Sequence, residues 1–179
     1  MVLIGCRPPG RAIEQHDIFF GIAASMQELI PAIVAYWPEA KGRMHIDAWR
    51  EVTHVNGYDV AIGAKEEGRQ QTDANLYFIN LGGYKPGDFE EYHYKMVVAG
   101  DTISDAIAAA KKTAFFKHTG YKGARAHVDD KYGLDADDAY LVKELLQTAF
   151  SEKFSIVLRK AEAAQEDFLN IGYFKLDKL

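Results

Sequence analysis

The feature that most constrains this chain is a spaced motif that occurs twice, 77 residues apart (82 − 5 = 77). Each copy reads Gly-x-x-x-Pro-Gly-x-x-x-Glu-x-His, with identical internal spacing. The matching residues are Gly5, Pro9, Gly10, Glu14 and His16 in the first copy and Gly82, Pro86, Gly87, Glu91 and His93 in the second. Chance gives about one match in so short a window at ordinary residue frequencies. The motif therefore predicts an internal duplication of one supersecondary unit.

Hydrophobic periodicity predicts the order β-β-α-β-β in the first half. The predicted elements are strands at 2–5 and 13–23, a helix from Met26 to Trp37 capped by Ser25, and a hairpin of strands 44–55 and 58–62 around Asn56-Gly57. The strand at 13–23 is apolar on both faces in its second half, which predicts a central position in its sheet. Pro31 lies inside the helical pattern and predicts a kinked or shortened helix.

The second half is predicted to repeat this order and then to diverge. It has strands at 76–81 and 91–99 and a helix that begins after Thr102, with Asp105 completing a capping box. His127-Val128-Asp129 then matches His45-Ile46-Asp47 with five residues inserted (127 − 45 = 82, and 82 − 77 = 5). The remaining predicted segments are an acidic loop at 129–138, a helical stretch at 141–150, a return strand at 154–158 and a further edge strand at 168–176.

These patterns predict an α+β fold built from two ββαββ units related by a pseudo-twofold axis. The sheets are expected to be mainly antiparallel or mixed, with helices on one face and an additional helix and strand at the C-terminus. The predicted divisions are residues 1–64 for the first repeat unit, 65–75 for a polar linker, 76–160 for the second unit with a helical insertion, and 161–179 for a C-terminal strand extension.

Composition and charge exclude several classes of function. The 179 residues carry a formal net charge of −5, whereas non-specific nucleic-acid binding needs a basic face. No apolar run reaches the roughly 20 residues that span a bilayer, and the N-terminus has no basic leader. The single cysteine cannot form an internal disulfide. We therefore expect a cytoplasmic protein that binds a protein or small molecule, with a homodimer as an open alternative, and neither nucleic acid nor a membrane.

The repeated motif, together with the His-Ile/Val-Asp that follows each helix, resembles a bacterial family known as domain of unknown function 1543. That family occurs with one or two copies per chain, and this sequence resembles the two-copy form over nearly all of residues 1–160. The resemblance implies bacterial origin and the duplicated architecture. It implies no reaction, ligand or catalytic residue.

Residues two apart in a strand point the same way, so the motif predicts a polar face in each unit. The pairs that share a face are Glu14 with His16, His45 with Asp47, Glu91 with His93, and His127 with Asp129. Ile46 and Val128 then point the opposite way and are expected to pack under the helices. The polar residues are thus predicted to lie on the helix-free faces, where two units meet or a groove forms.

Three interpretations of these eight residues follow from their chemistry. The leading one is a non-enzymatic module that binds a partner or small ligand on the polar face and needs no cofactor. The alternative is a metal-dependent enzyme of the hydrolase or oxygenase type, because two imidazoles and a carboxylate suit iron, zinc or manganese, and an imidazole beside a carboxylate suits a general base. The third is a hydrogen-bond network that only pins strand ends. The sequence contains no spacing-specific metal motif.

Three other features have simpler structural interpretations. Pro8-Pro9-Gly10 and Pro86-Gly87 are predicted to be turns rather than anion-binding loops. Cys6 is predicted to be a small buried residue rather than a reactive thiol, although Arg7 is adjacent. The acidic loop lacks the glycine and terminal glutamate of an EF-hand and is predicted to be solvated.

Overall fold

The computed structural model describes residues 1–65, 72–84, 89–118, 135–163 and 165–179. Within these ranges the chain has a mixed α+β fold with three sheets. Its strands and helices, in chain order, are β1 (Val2–Cys6), β2 (Gln15–Phe19), α1 (Met26–Tyr36), β3 (Met44–Trp49), β4 (His54–Val55), β5 (Tyr58–Ala64), β6 (Asn75–Tyr84), β7 (Glu91–Gly100), α2 (Ile103–His118), β8 (Asp135–Leu141), α3 (Val142–Leu145), α4 (Thr148–Ser151), β9 (Phe154–Lys160) and β10 (Asn170–Lys175).

The strands form three sheets in which all the neighbours are antiparallel. The first sheet has the order β10-β3-β1-β2, and the second has the order β7-β6-β8. The third sheet, β4-β5-β9, joins the hairpin of the first half to a late strand of the second half. The prediction of an α+β fold with mainly antiparallel sheets is confirmed.

The first and second sheets are covered on both faces. Ile33 of α1 packs on the outer face of the first sheet, and Ala110 of α2 packs on the outer face of the second; both residues are fully buried. The inner faces meet in a shared core, where the rings of Phe20 and Phe78 contact edge to face with their centres 5.8 Å apart. Each large apolar side chain buried in this way stabilises the fold by about 1.5–3 kcal/mol.

The central strands of the two sheets, β1 and β6, have corresponding registers. Gly5 of β1 pairs with His16 on one side and His45 on the other. Gly82 of β6 pairs with His93 on one side and Asp135 on the other. The pairing of β1 with β3 shifts between Leu3 and Ile4, and the pairing of β6 with β8 shifts between Asn80 and Leu81, 77 residues later (80 − 3 = 77). Strand order, register and irregularity thus agree between the two sheets.

The third strand of the second sheet lies later in the chain than the sequence predicts. His127, Val128 and Asp129 fall outside the described residues, and the strand that pairs with β6 is β8. Asp135 therefore occupies the register position of His45, so the predicted match of His127 to His45 is not the one that the pairing gives. The acidic loop predicted at 129–138 is also wrong at its end, because pairing with β6 overrides the low strand preference of aspartate at 135–138.

Three strand predictions are corrected by tertiary contacts. β2 is an edge strand rather than a central one, because a helix and the second sheet bury its two faces without a second pairing partner. The predicted strand 44–55 is divided into β3 and β4 by a non-strand segment at 50–53. The two return strands, β5 and β9, pair with each other rather than returning to their own sheets.

The predictions of the first helix, of the start of the second and of the edge strand agree closely with the structure, whereas the helical stretch predicted at 141–150 is two four-residue helices, α3 and α4. α1 runs from Met26 to Tyr36 through Pro31, and its N-cap residue Ser25 makes no side-chain capping bond. Before α2, by contrast, the Thr102 hydroxyl donates to Asp105 Oδ2 (2.6 Å) and accepts from the Asp105 backbone N–H (3.2 Å). The segment predicted to cover a sheet edge forms β10, which pairs with β3.

Asp167 connects the C-terminal segment to the link between β3 and β4. Its carboxylate is 1% exposed and contacts an Arg50 guanidinium nitrogen at 3.2 Å. It also accepts hydrogen bonds from the Thr53 hydroxyl (2.7 Å) and from the His54 backbone N–H (2.9 Å). The buried carboxylate thus satisfies donors of the non-strand segment at 50–53 and of the first residue of β4.

We expect Asp167→Ala to lower the free energy of unfolding by about 3–5 kcal/mol, because it leaves a buried cation and buried N–H groups without their acceptor. The matched control is Glu162→Ala at an exposed position, where the expected change is within about 0.5 kcal/mol. Urea unfolding followed by circular dichroism measures both variants. A loss below about 1 kcal/mol for Asp167→Ala would contradict this role.

Candidate functional site

Four polar residues that the sequence places on strand faces come together on the inner face of the first sheet. Asp47 bridges the two imidazoles, with His45 Nε2 at 3.1 Å from Oδ1 and His16 Nε2 at 3.2 Å from Oδ2. His45 Nε2 also lies 3.3 Å from Glu14 Oε1. We call Glu14, His16, His45 and Asp47 the His45 cluster. His45 and Asp47 belong to β3, His16 belongs to β2, and Glu14 immediately precedes β2, so the members lie on either side of β1.

Gly5 makes the His45 cluster possible, because it pairs with both His16 and His45 and has no side chain of its own. A Cβ atom at Gly5 would lie 2.5 Å from Asp47 Oδ2 and 2.5 Å from His45 Nε2. The side chains of the cluster therefore lie directly across the backbone of β1. This is the close approach that glycine alone permits.

A β-bulge adds to the arrangement. Leu3 pairs with Ala48 and Ile4 pairs with Ile46, which leaves Asp47 without a partner on β1. Bulges of this kind change the direction of a side chain and are common next to functional sites. Ile46 itself is fully buried among the residues that α1 covers, as the sequence predicts.

Burial is graded across the His45 cluster. The side chain of His45 is 7% exposed and that of Asp47 is 26% exposed, whereas His16 and Glu14 are 40% and 47% exposed. His45 thus forms the buried floor of the cluster. His16 and Glu14 lie at its solvent-exposed opening, which we call the mouth. A hydrogen-bond network that only stabilises a strand end does not require these solvent-exposed side chains.

The floor of the His45 cluster contains polar atoms without hydrogen-bond partners. His45 Nε2 and Asp47 Oδ2 are both buried, and although carboxylate or imidazole atoms lie near them, neither makes a bond of acceptable geometry. The imidazole plane is held by Tyr173, whose ring stacks on it at 4.1 Å with an interplanar angle of 28°. An unsatisfied buried polar atom costs about 1–3 kcal/mol, so these two atoms need an explanation.

The opposite face of β2 has a different role. Asp17 faces α1 and accepts a hydrogen bond from the Tyr36 hydroxyl at 3.2 Å. Burial and the neighbouring carboxylate of Asp17 raise the pKa of Tyr36 to about 12. The period-two alternation along β2 therefore separates a helix-facing acid from the residues of the cluster, as predicted.

In the second sheet the corresponding residues are described only in part. Glu91 and His93 lie on β7, with His93 Nε2 at 3.9 Å from Glu91 Oε2. The predicted partners His127 and Asp129 fall outside the described residues. Asp135 of β8 takes the register position of His45, so an imidazole at this register position belongs to the first sheet and not to the second.

The remaining predicted features behave as structural elements. Pro8-Pro9-Gly10 forms a turn closed by a hydrogen bond from the Arg11 N–H to the Pro8 carbonyl, and Pro86-Gly87 lies outside the described residues. Cys6 is buried on the α1 side of β1, and burial, followed by the nearby Glu14, raises the pKa of its thiol. A raised pKa keeps the thiol protonated and unreactive.

Two contributors to the site were missed by the sequence reasoning. Tyr173 belongs to β10, and only the pairing of β10 with β3 brings its ring onto His45. The sequence showed only that Gly5 recurs at Gly82. It did not show that the side chains of His45 and Asp47 lie against the backbone of Gly5. Local sequence patterns carry no signal for either contact.

Among the described residues, no three His, Cys, Asp or Glu side chains already surround one point as metal ligands do. The His45 cluster is instead a chain of pairwise contacts from Glu14 through His45 and Asp47 to His16. In the same part of the chain, no helix is long and apolar enough to cross a membrane.

Comparison with known proteins finds a family model that matches part of the chain and a solved structure with a similar fold. Residues 11–62 match the family described as Domain of Unknown Function (DUF1543). No curated protein matches the chain. The structure is similar to the crystal structure of a protein called Il1583 from Idiomarina loihiensis, with a TM-score of 0.64 and 23% sequence identity over 98% of this chain and 94% of that one. At this identity the likeness shows the fold alone.

We expect Gly5→Ala to destabilise the fold by about 1–3 kcal/mol, because the new methyl group would push His45 and Asp47 off the backbone of β1. Gly100→Ala is the matched control, since the nearest atoms to its added Cβ lie at 3.4 Å, an ordinary contact distance. Thermal and urea unfolding measure both. Equal changes in the two variants would show that the space above Gly5 is not required.

Proposed function

Since residues 11–62 match a family whose name assigns no reaction, we propose from the geometry that this chain is a binding module whose ligand seat is the His45 cluster. The observation that carries the proposal is His45, a buried imidazole whose Nε2 lies between two carboxylates and has no hydrogen-bond partner. Such a group is costly for the folded chain alone. A ligand that interacts with Nε2 and the carboxylates would offset that cost.

The exposed groups support binding at this position. Glu14 and His16 are accessible at the mouth, so a small ligand reaches the cluster without any movement of the backbone. The cluster contains only imidazoles and carboxylates, and the chain's one cysteine is buried on the other face of β1. This set of side chains binds and orients a ligand but supplies no serine, threonine or cysteine nucleophile.

A second space lies at the junction of the sheets. A cavity of about 420 Å³ is lined by residues from all three sheets, from α1 and α3, and from the segments that follow β2 and β3, among them Phe20, Leu29, Trp49 and Arg50. No member of the His45 cluster lines it. The cavity volume is within the range of small-molecule sites, but Arg50 Nε is the one buried side-chain atom without a hydrogen-bond partner among the described residues that line it, whereas the cluster brings two such atoms together.

We also propose that the first and second sheets descend from one duplicated unit. The shared order, the shared register and the shift at corresponding positions of β1 and β6 support this. On this proposal Glu91 and His93 are the remnants of a second seat that lacks the floor imidazole. The net charge of −5 favours a small molecule or a protein over a nucleic acid as the partner. We propose the bacterial cytoplasm as the location.

A metal-dependent enzyme is the second candidate. The observation that favours it is the combination of a buried imidazole with exposed groups at the mouth, because a catalytic metal needs both fixed ligands and an open position. A reaction would additionally require a substrate pocket beside the mouth. A shallow space next to His45, lined by Arg43, Tyr173 and Lys175, is an adjoining candidate.

The binding proposal is tested by thermal unfolding of the untagged chain with a panel of probes. The panel contains zinc, manganese and cobalt chlorides, inorganic phosphate, citrate, spermidine and free amino acids. At a probe concentration near 100 times its Kd, we expect stabilisation of about 2.7 kcal/mol, or roughly 5–10 °C in Tm. His16→Ala is expected to abolish the shift without unfolding the chain, because His16 is exposed.

The matched control is Gln15→Ala, which changes the neighbouring residue on the opposite face of β2 and should keep the full shift. Absence of any shift in the original chain, combined with a loss of stability in His16→Ala and Glu14→Gln, would assign the cluster to scaffolding instead. Retention of the shift in His16→Ala would move the binding site elsewhere.

A further inference from the structure

The donor atoms of the His45 cluster narrow the chemistry of its ligand. The inward-facing atoms are two imidazole Nε2 atoms and the oxygens of two carboxylates. Magnesium and calcium prefer oxygen ligands alone, whereas zinc, manganese and iron take imidazole nitrogen together with carboxylate oxygen. The ligand that this mixed set favours is a divalent transition-metal ion.

The distances between neighbouring donors agree with that chemistry. The three close pairs lie 3.1, 3.2 and 3.3 Å apart. With metal–ligand bonds of about 2.0–2.2 Å, two adjacent ligands of one ion lie about 3.0–3.4 Å apart. These distances also suit direct imidazole–carboxylate contacts, and no three of the donors surround one point in the structure as it stands. Binding requires a small convergence of the four side chains, which the exposed Glu14 and His16 are free to make.

Burial and charge add an independent reason. The side chain of His45 is more than nine-tenths buried, and its unpartnered Nε2 is aimed into the cluster between Glu14 and Asp47. Asp47 Oδ2 is buried and unpartnered as well. Two carboxylates held this close to one point repel each other, and a divalent cation neutralises both while satisfying the two orphaned atoms.

Tyr173 and Gly5 hold the floor ligand in place. The stacked phenol fixes the ring plane of His45, and the missing side chain at Gly5 leaves Nε2 and Asp47 together above β1. Ligands held by surrounding contacts of this kind bind with little reorganisation. These contacts belong to the first sheet, so the proposal concerns one ion at the His45 cluster.

We propose that the His45 cluster binds one divalent transition-metal ion of the zinc, manganese and iron class, with His45 and Asp47 as fixed ligands and His16 and Glu14 as ligands from the mouth. This inference rests on the proposed function and names its ligand. His45 is a binding residue on this proposal, and Tyr173 is a positioning residue.

The test uses the untagged full chain, stripped with chelator and titrated with cobalt(II) chloride. Ligand-field absorption in the visible range reports entry of the ion into a site of nitrogen and oxygen ligands. Competition with zinc and manganese chlorides gives their relative affinities. We expect saturation at one equivalent and displacement of cobalt by zinc.

Asp47→Asn and His16→Ala are expected to weaken metal binding at least about 10-fold, since changes to groups outside the ligand shell alone cost 10–100-fold. The matched control is Asp59→Asn, because Asp59 also lies beside a histidine, with Oδ1 at 3.4 Å from His54 Nε2, but outside the cluster. It should bind cobalt like the original chain. Circular dichroism of each variant confirms that it is folded.

The outcomes distinguish failure of the metal proposal from failure of the binding-module proposal. Undiminished metal binding in both folded variants, or no cobalt spectrum and no Tm shift with any of the three metals, would overturn the metal proposal. If phosphate, citrate, spermidine or an amino acid then gives a shift that His16→Ala removes, the binding module stands with a different ligand. If no probe gives such a shift, both the binding-module proposal and the metal proposal are wrong.

Discussion

The structure depends on burying both faces of its two central strands. β1 and β6 each have a helix on one side and the opposing sheet on the other, so their alternate residues enter two different cores. Polar side chains are tolerated only where this double cover ends. On the inner face of β1 and β2, Leu3 and Ile18 contact the shared core, and Gly5 and His16 lie one step beyond it. The candidate site is the polar continuation of an apolar face.

That position has an energetic consequence. A buried imidazole close to two carboxylates contributes little to stability unless its remaining polar atoms are satisfied, because desolvation offsets the attraction. His45 Nε2 and Asp47 Oδ2 are not satisfied by the chain itself. Residues selected for stability alone would favour an apolar pair at this position, and this is why the proposed function places a ligand here. The stacked ring of Tyr173 and the glycine below fix a geometry that the free side chains would not keep.

Local patterns predicted much of the first half correctly. Period-two alternation placed Glu14 with His16 and His45 with Asp47 on the helix-free face, and Ile46 on the opposite one, because strand geometry depends only on neighbouring residues. The starts of α1 and α2 followed from residue spacing for the same reason, although only Thr102 makes the predicted capping bond. The errors occurred where a non-local contact decides the outcome. The last residues of β2 are buried on both faces, yet β2 lies at an edge of its sheet. Apolar residues in a sequence indicate burial, but they do not indicate which strands are hydrogen-bonded to each other.

The second half shows the same limit more strongly. The His-Val-Asp at 127–129 resembles the earlier His-Ile-Asp, but register is set by which residues exchange hydrogen bonds with β6, and among the described residues Asp135 is the one opposite Gly82. Likewise, the sequence showed two similar return strands and did not show that they pair with each other.

What the sequence determined by itself was the alternation of each strand, the position of the helices and the identity of four residues with metal-ligand or binding chemistry. Only the tertiary structure decided which strands are neighbours, that Tyr173 stacks on His45 and that Gly5 leaves space for the cluster. The physical reason is that the direction of a side chain in a strand depends only on the residues next to it. Strand pairing and close contacts depend instead on which distant segments of the chain pack together.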